Sequence, residues 1–94
     1  MPVDLMPVDP EKVIERCADT LKQIVDDDSV PRNIRRAADE VRKKLFDESV
    51  SLAVRAASAI SVLDEVSNDP NIPLHARTLV WGVVSQLETI SVDV

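Results

Sequence analysis

Apolar residues recur at helical intervals along most of the chain. Val13, Ile14, Cys17, Leu21, Ile24 and Val25 form one stripe after Asp9-Pro10-Glu11. That tripeptide is a helix start, because the Asp9 carboxylate can take a free backbone N–H and Pro10 has the fixed φ of a first helical position. Asp26-Asp27-Asp28-Ser29 ends this helix. Pro31 opens a second, whose inner stripe is Ile34, Ala37, Ala38, Val41 and Leu45. Phe46 to Ser49 reads as a short turn, with Asp47 or Ser49 as the next cap. A third helix is predicted over Val50 to Val66. Ser67-Asn68-Asp69-Pro70-Asn71 interrupts the pattern, and Pro73 opens a fourth helix carrying Leu79, Val80, Val83, Val84, Leu87 and Ile90. No stretch keeps strict alternation between turn residues, so no strand is predicted. Residues 1–8, MPVDLMPV, hold two prolines and little pattern. They read as an extended or mobile arm ahead of a single four-helix domain over residues 9–94.

The chain is similar to itself at an offset of 42 residues. LKQIVDDDSVPRNIRRAADEVRKKL aligns without a gap on LDEVSNDPNIPLHARTLVWGVVSQL, with six identities in 25 positions. The identities are Leu21/Leu63, Asp27/Asp69, Pro31/Pro73, Arg35/Arg77, Val41/Val83 and Leu45/Leu87. They fall on core positions, a loop aspartate, a helix-opening proline and an arginine one turn into the helix. A helix-turn-helix period near forty is the signature of HEAT and armadillo repeats, and the order of residues is HEAT-like. Two repeats are too few for an open solenoid. The expected solution is closure of the two hairpins into an antiparallel four-helix bundle.

Composition supports an all-α fold. The chain has a single Gly in 94 residues, so turns needing positive φ are scarce. Apolar residues make up 45%, enough for a folded core, and only Phe46 and Trp81 are aromatic. Aliphatic side chains must therefore fill that core. The net charge of −6 argues against general nucleic-acid binding. One cysteine allows no internal disulfide, which points to a cytoplasmic protein. No signal peptide and no apolar run of membrane-spanning length is visible.

The segments DDSVPRNIRRAADEV and AASAISVLDEVSNDPNIPLHARTLVW resemble an archaeal family catalogued as uncharacterised protein family 0147. The resemblance covers nearly everything outside the N-terminal arm. It implies a small cytoplasmic helical-bundle protein. It implies no activity, so no functional residues carry over.

The candidate chemistry is sparse. Asp26, Asp27, Asp28 and Asp69 could gather at one end of the molecule, but they lack the glycine turn and distal glutamate of a calcium loop. Caps or ion pairs are expected instead, Asp27 with Arg35 and Asp69 with Arg77. His75 and Cys17 are the sole residues of their kinds, too few for a zinc site, and Cys17 lies on an apolar stripe. No phosphate loop or metalloprotease motif is present. No enzyme, cofactor or metal is therefore expected.

Two surfaces remain. The helix over residues 32–44 carries Arg32, Arg35, Arg36, Arg42, Lys43 and Lys44 against Asp39 and Glu40. It could touch RNA as an accessory of a ribonucleoprotein, although no aromatic residue is interleaved for base stacking. The fourth helix is nearly uncharged, with only Arg77 and Glu88 between Pro73 and Ile90. Residues 47–94 hold two cations and seven acids, against nine and ten in residues 1–46. An outer helix of a monomer normally carries a charged face. The third and fourth helices instead place Ala53, Ser58, Gly82 and Ser85 beside Trp81. A non-enzymatic interaction module that forms a homodimer through this hairpin is the leading expectation, with a further protein partner not named by the sequence.

Overall fold

Each helix begins where the chain supplies an acceptor or a fixed φ, and each ends where its apolar stripe runs out. In the computed structural model, which describes residues 9–91, α1 spans Pro10–Val25 and α2 spans Arg32–Lys44. α3 spans Leu52–Ser67 and α4 spans Leu74–Ser91. Residues 1–8, the expected arm, lie outside the described residues. Asp9 caps α1 by accepting the Glu11 N–H at 3.0 Å. Pro31 stands at the N-cap of α2 with extended ψ. The cap of α3 differs from expectation. Ser51, not Asp47 or Ser49, accepts the Val54 N–H at 3.3 Å. Asp47 acts one step earlier, inside the turn.

The helices form a closed ring. α1 packs on α2 and α4, and α3 packs on α4 and less closely on α2. With connections as short as residues 26–31, 45–51 and 68–73, neighbours in sequence run antiparallel. The described residues contain no strand. The expected antiparallel four-helix bundle is the fold.

The core confirms the offset of 42. Ile14, Cys17, Leu21, Ile24, Val30, Ile34, Ala38, Val41 and Leu45 are buried. So are their equivalents Ala56, Ala59, Leu63, Val66, Ile72, Ala76, Val80, Val83 and Leu87. Each hairpin thus presents the same inner positions to the other. Smaller residues at Ala56, Ala59 and Ala76 accompany the most extensive helix contact, that between α3 and α4.

Leu21 and Leu63 occupy equivalent, fully buried sites. Leu21→Ala and Leu63→Ala are each expected to lower unfolding free energy by about 2–5 kcal/mol. Urea denaturation followed by circular dichroism measures both. A loss well under 1 kcal/mol at either site would show that the two positions are not equivalent.

Candidate functional site

The two loops of the duplicated hairpins meet at one end of the bundle. Each is a turn led by an aspartate. The Asp27 side chain accepts the Ser29 N–H at 2.9 Å and the Ser29 hydroxyl at 2.6 Å. Its carbonyl accepts the Val30 N–H at 3.1 Å. Asp69 repeats this with Asn71 at 2.8 Å and Ile72 at 3.2 Å. Val30 and Ile72 are thereby driven into the core.

The aspartates then reach across to the other hairpin. The second oxygen of Asp27 lies 2.7 Å from His75 Nε2. The second oxygen of Asp69 accepts from Asn33 Nδ2 at 3.2 Å. Asn33 and His75 are themselves 42 positions apart. The two contacts are reciprocal, as at the two-fold axis of a symmetric dimer. Here the axis is internal to one chain.

The expected pairs Asp27–Arg35 and Asp69–Arg77 are therefore corrected. Arg35 turns back along its own helix start, donating from Nε to the Val30 carbonyl at 3.0 Å and lying 3.8 Å from Asp28. Arg77 Nε is buried with no hydrogen-bond partner. Each loop aspartate braces its turn, as expected, but its side-chain partner comes from the opposite hairpin.

A third copy of the turn, not expected from the offset of 42, joins α2 to α3. Asp47 accepts the Ser49 N–H at 3.0 Å and the Ser49 hydroxyl at 2.6 Å, and its carbonyl takes the Val50 N–H at 3.2 Å. Arg55 Nε donates to the Val50 carbonyl at 2.8 Å, as Arg35 does to Val30. The shared pattern is Asp, then Ser or Asn two residues on, Val or Ile at three, Pro or Ser at four and Arg at eight. Its copies stand 20 and 22 residues apart, so the offset of 42 relates only the outer two.

Ser29, His75 and Asp27 invite comparison with a catalytic triad. A triad needs the carboxylate on one ring nitrogen and the hydroxyl on the other. Here both approach Nε2, with Ser29 Oγ at 3.4 Å, and the hydroxyl is already committed to Asp27. The arrangement ties loops together. Among the described residues, no group of three or more His, Cys, Asp or Glu is placed to hold a metal. Cys17 is fully buried, and that burial pushes its thiol up to about 11. Such a thiol is a poor nucleophile.

On α2, part of the basic character is consumed locally. Arg42 and Lys43 both bind Asp39, at 2.7 and 3.1 Å. Their hydrogen bonds hold the Asp39 carboxyl below its ordinary value. Arg32, Arg36 and Lys44 are exposed. The outer face of α3 and α4 is different. Leu74 is 71% exposed and Trp81 53%. Val54, Ser58 and Val62 on α3 and Gly82 and Ser85 on α4 are also exposed, while Ala53 is half-buried.

A family model described as an uncharacterised protein family, UPF0147, matches residues 3–90. The chain belongs to this family. The UPF0147 protein of Methanosarcina mazei is 55% identical over 85 residues, which cover 90% of this chain and 91% of that one. The UPF0147 protein of Saccharolobus solfataricus is 53% identical over 85 residues, covering 90% and 96%. The crystal structure of a UPF0147 protein from Thermoplasma acidophilum superposes with a TM-score of 0.82 at 36% identity, covering 87% of this chain and 96% of that chain. A second crystal structure, of a protein of unknown function, gives 0.84 at 46% identity, covering 89% and 96%. The UPF0147 description names no activity, so the surfaces carry the functional reading. No helix among the described residues is long and apolar enough to cross a membrane.

The loop contacts make a pH prediction. Hydrogen bonds from the Ser29 hydroxyl, the His75 ring and the Ser29 backbone hold the Asp27 carboxyl at about 2. An unfolded aspartate titrates near ~3.9. Native Asp27 thus binds a proton more weakly than the unfolded chain does. Its stabilisation is complete above pH ~4 and is lost as pH falls toward 2. Urea midpoints are expected to drop across that window, and to drop less in Asp27→Asn. Some slope remains, because Asp39 and Asp47 are depressed as well. Asp27→Ala and His75→Ala combined should be non-additive in a double-mutant cycle. Strict additivity would mean that the cross-hairpin contact carries no energy.

Proposed function

We infer that this UPF0147 protein is a non-enzymatic interaction module that self-associates through the outer face of α3 and α4. The observation that carries this reading is Gly82. A glycine inside a helix costs about 0.5–1 kcal/mol relative to alanine. A Cβ added at Gly82 would meet nothing within 4 Å. Packing within the chain therefore gives no reason for glycine here. Close approach of another backbone does. Gly82 lies beside Trp81 on α4, where Leu74, Thr78 and Ser85 are also exposed and Arg77 and Glu88 are the ionised residues. Trp is a frequent interface anchor. On a chain of net charge −6, this face is where two copies can meet with the fewest charges to desolvate.

Contact with RNA through α2 has less support. Arg35, Arg42 and Lys43 have partners within the chain, which leaves Arg32, Arg36 and Lys44 to face outward.

Light scattering after size exclusion tests the reading. At micromolar concentration the expected mass is twice the 10.4 kDa chain, equal in low and high salt. Gly82→Ala is expected to stabilise the isolated subunit by about 0.5–1 kcal/mol while weakening its association. A 10.4 kDa species in both buffers would overturn the reading. So would a dimer that dissociates only in high salt, since that places the contact on the charged first hairpin.

A further inference from the structure

The ionised residues of α4, Arg77 and Glu88, are eleven positions apart. That is about 16 Å along the helix, too far for them to pair within one chain. Arg77 also differs from its counterparts in the other turns. Arg35 gives its Nε to the Val30 carbonyl, and Arg55 gives its Nε to that of Val50. Arg35 lies near Asp28 as well, but the residue 42 positions after Asp28 is Pro70. Arg77 is left half-buried, with Nε unbonded and no acid among the described residues paired with it.

At about 100° per residue, Leu74, Thr78, Trp81 and Ser85 fall within about 60° of one another and form the exposed stripe of α4. Arg77 and Glu88 line one edge of that stripe, and Gly82 and Thr89 line the other. Laid parallel, two copies of the stripe would set Arg77 against Arg77 and Glu88 against Glu88, like charge on like. A two-fold axis across α4 instead makes the copies antiparallel and brings the same edge of each together. Every residue then faces the one equally far beyond the axis in the other copy. Arg77 meets Glu88 of the other copy when the axis crosses midway between residues 77 and 88, beside Gly82. Trp81 meets Ser85 of the other copy when the axis crosses at residue 83. The two crossings differ by half a residue, less than about 1 Å of helix. One condition comes from charge and the other from size, since a small side chain must lie under a large exposed ring. Gly82 stands at the same level, and its missing Cβ allows the helices to close there.

We propose that two copies of this chain pair isologously through antiparallel α4 helices, with Arg77 of each on Glu88 of the other and Trp81 of each on Ser85 of the other. This rests on the self-association reading and specifies its contact. Glu88 has an interaction in its own chain too, but a carboxylate has acceptor positions for several donors. Both charges of α4 meet the opposite sign, so neither is buried unpaired. The ion pairs lie on an edge within reach of water, where such pairs add little affinity. They fix direction and register, while the covered Trp81 carries the binding.

Sedimentation of full-length chains tests this, with circular dichroism verifying each fold. Arg77→Glu alone and Glu88→Arg alone each set like charges together twice per dimer. Each is expected to weaken it by more than about 10-fold. High salt should relieve much of that loss and leave wild type unchanged. A mixture of the two variants restores both opposite-sign pairs, so a heterodimer near wild-type affinity is expected. A second set leaves Arg77 in place. Trp81→Ala and Ser85→Arg, both at exposed positions, are each expected to weaken the dimer by more than about 30-fold. Their mixture keeps one Trp81–Ser85 contact and should also favour the heterodimer. Trp81, the sole tryptophan, should shift its emission to the blue as wild type is concentrated, and Ser85→Arg should abolish the shift. If wild type dimerises and the single variants dimerise equally well, the α4 pairing is overturned and self-association stands. A mixture with no preferred heterodimer overturns the pairing likewise. If wild type stays at 10.4 kDa at every concentration, both fall.

Discussion

Every change of chain direction between these helices runs through one kind of turn, and the core depends on it. Asp27, Asp47 and Asp69 each occupy a backbone N–H two residues on with a side-chain oxygen, and another N–H three residues on with the main-chain carbonyl. The turn leaves few donors unsatisfied without needing positive φ, and no residue described has it. It also sets the direction of the next helix. Val30 and Ile72 are pressed inward, and that helix starts within two residues with its apolar stripe facing the same way. A chain with two aromatic residues and a thin margin of burial depends on such alignment, because every aliphatic side chain must reach the one core.

Around that core the molecule behaves as two nearly identical halves. Inner positions match at an offset of 42, and the loop contacts Asp27 to His75 and Asp69 to Asn33 are exchanged across an internal two-fold. The interior had to stay matched, since each hairpin buries its stripe against the other. The exterior carried no such restriction. The first hairpin keeps a charged outer face, with Arg42 and Lys43 on Asp39 and Lys22 on Asp26. The second exposes Leu74, Trp81, Val54 and Val62 instead. The inner positions thus repeat between the hairpins and the outer ones do not.

The polar residues that look chemical are absorbed by the fold. The lone histidine bridges two loops, the lone cysteine is buried with its thiol pushed up to about 11, and the aspartates brace turns. Among the described residues, internal packing leaves Leu74, Trp81, Val54 and Phe46 more than half exposed, and nothing in the chain crowds Gly82.

Helix number, the inward stripes and the duplication were legible in the sequence, because burial against one core imposes a 3.6-residue period and the same core imposes it twice. The partial exposure of Trp81 was legible too, from Arg77 and Ser85 one turn away. The partners of the loop aspartates were not. A carboxylate eight residues from an arginine predicts a local pair, yet Asp27 finds His75, which is 48 residues away in sequence. Which loop tips meet is set by how the hairpins cross, and no spacing within either hairpin encodes that. The cap of α3 was misplaced for a smaller reason: Asp47, Ser49 and Ser51 can all cap, and only the backbone path shows that Ser51 does. The sequence alone thus determined what each helix buries, since burial repeats along one chain, while the ends and clefts where helices meet were decided by the tertiary structure, since those depend on two segments at once.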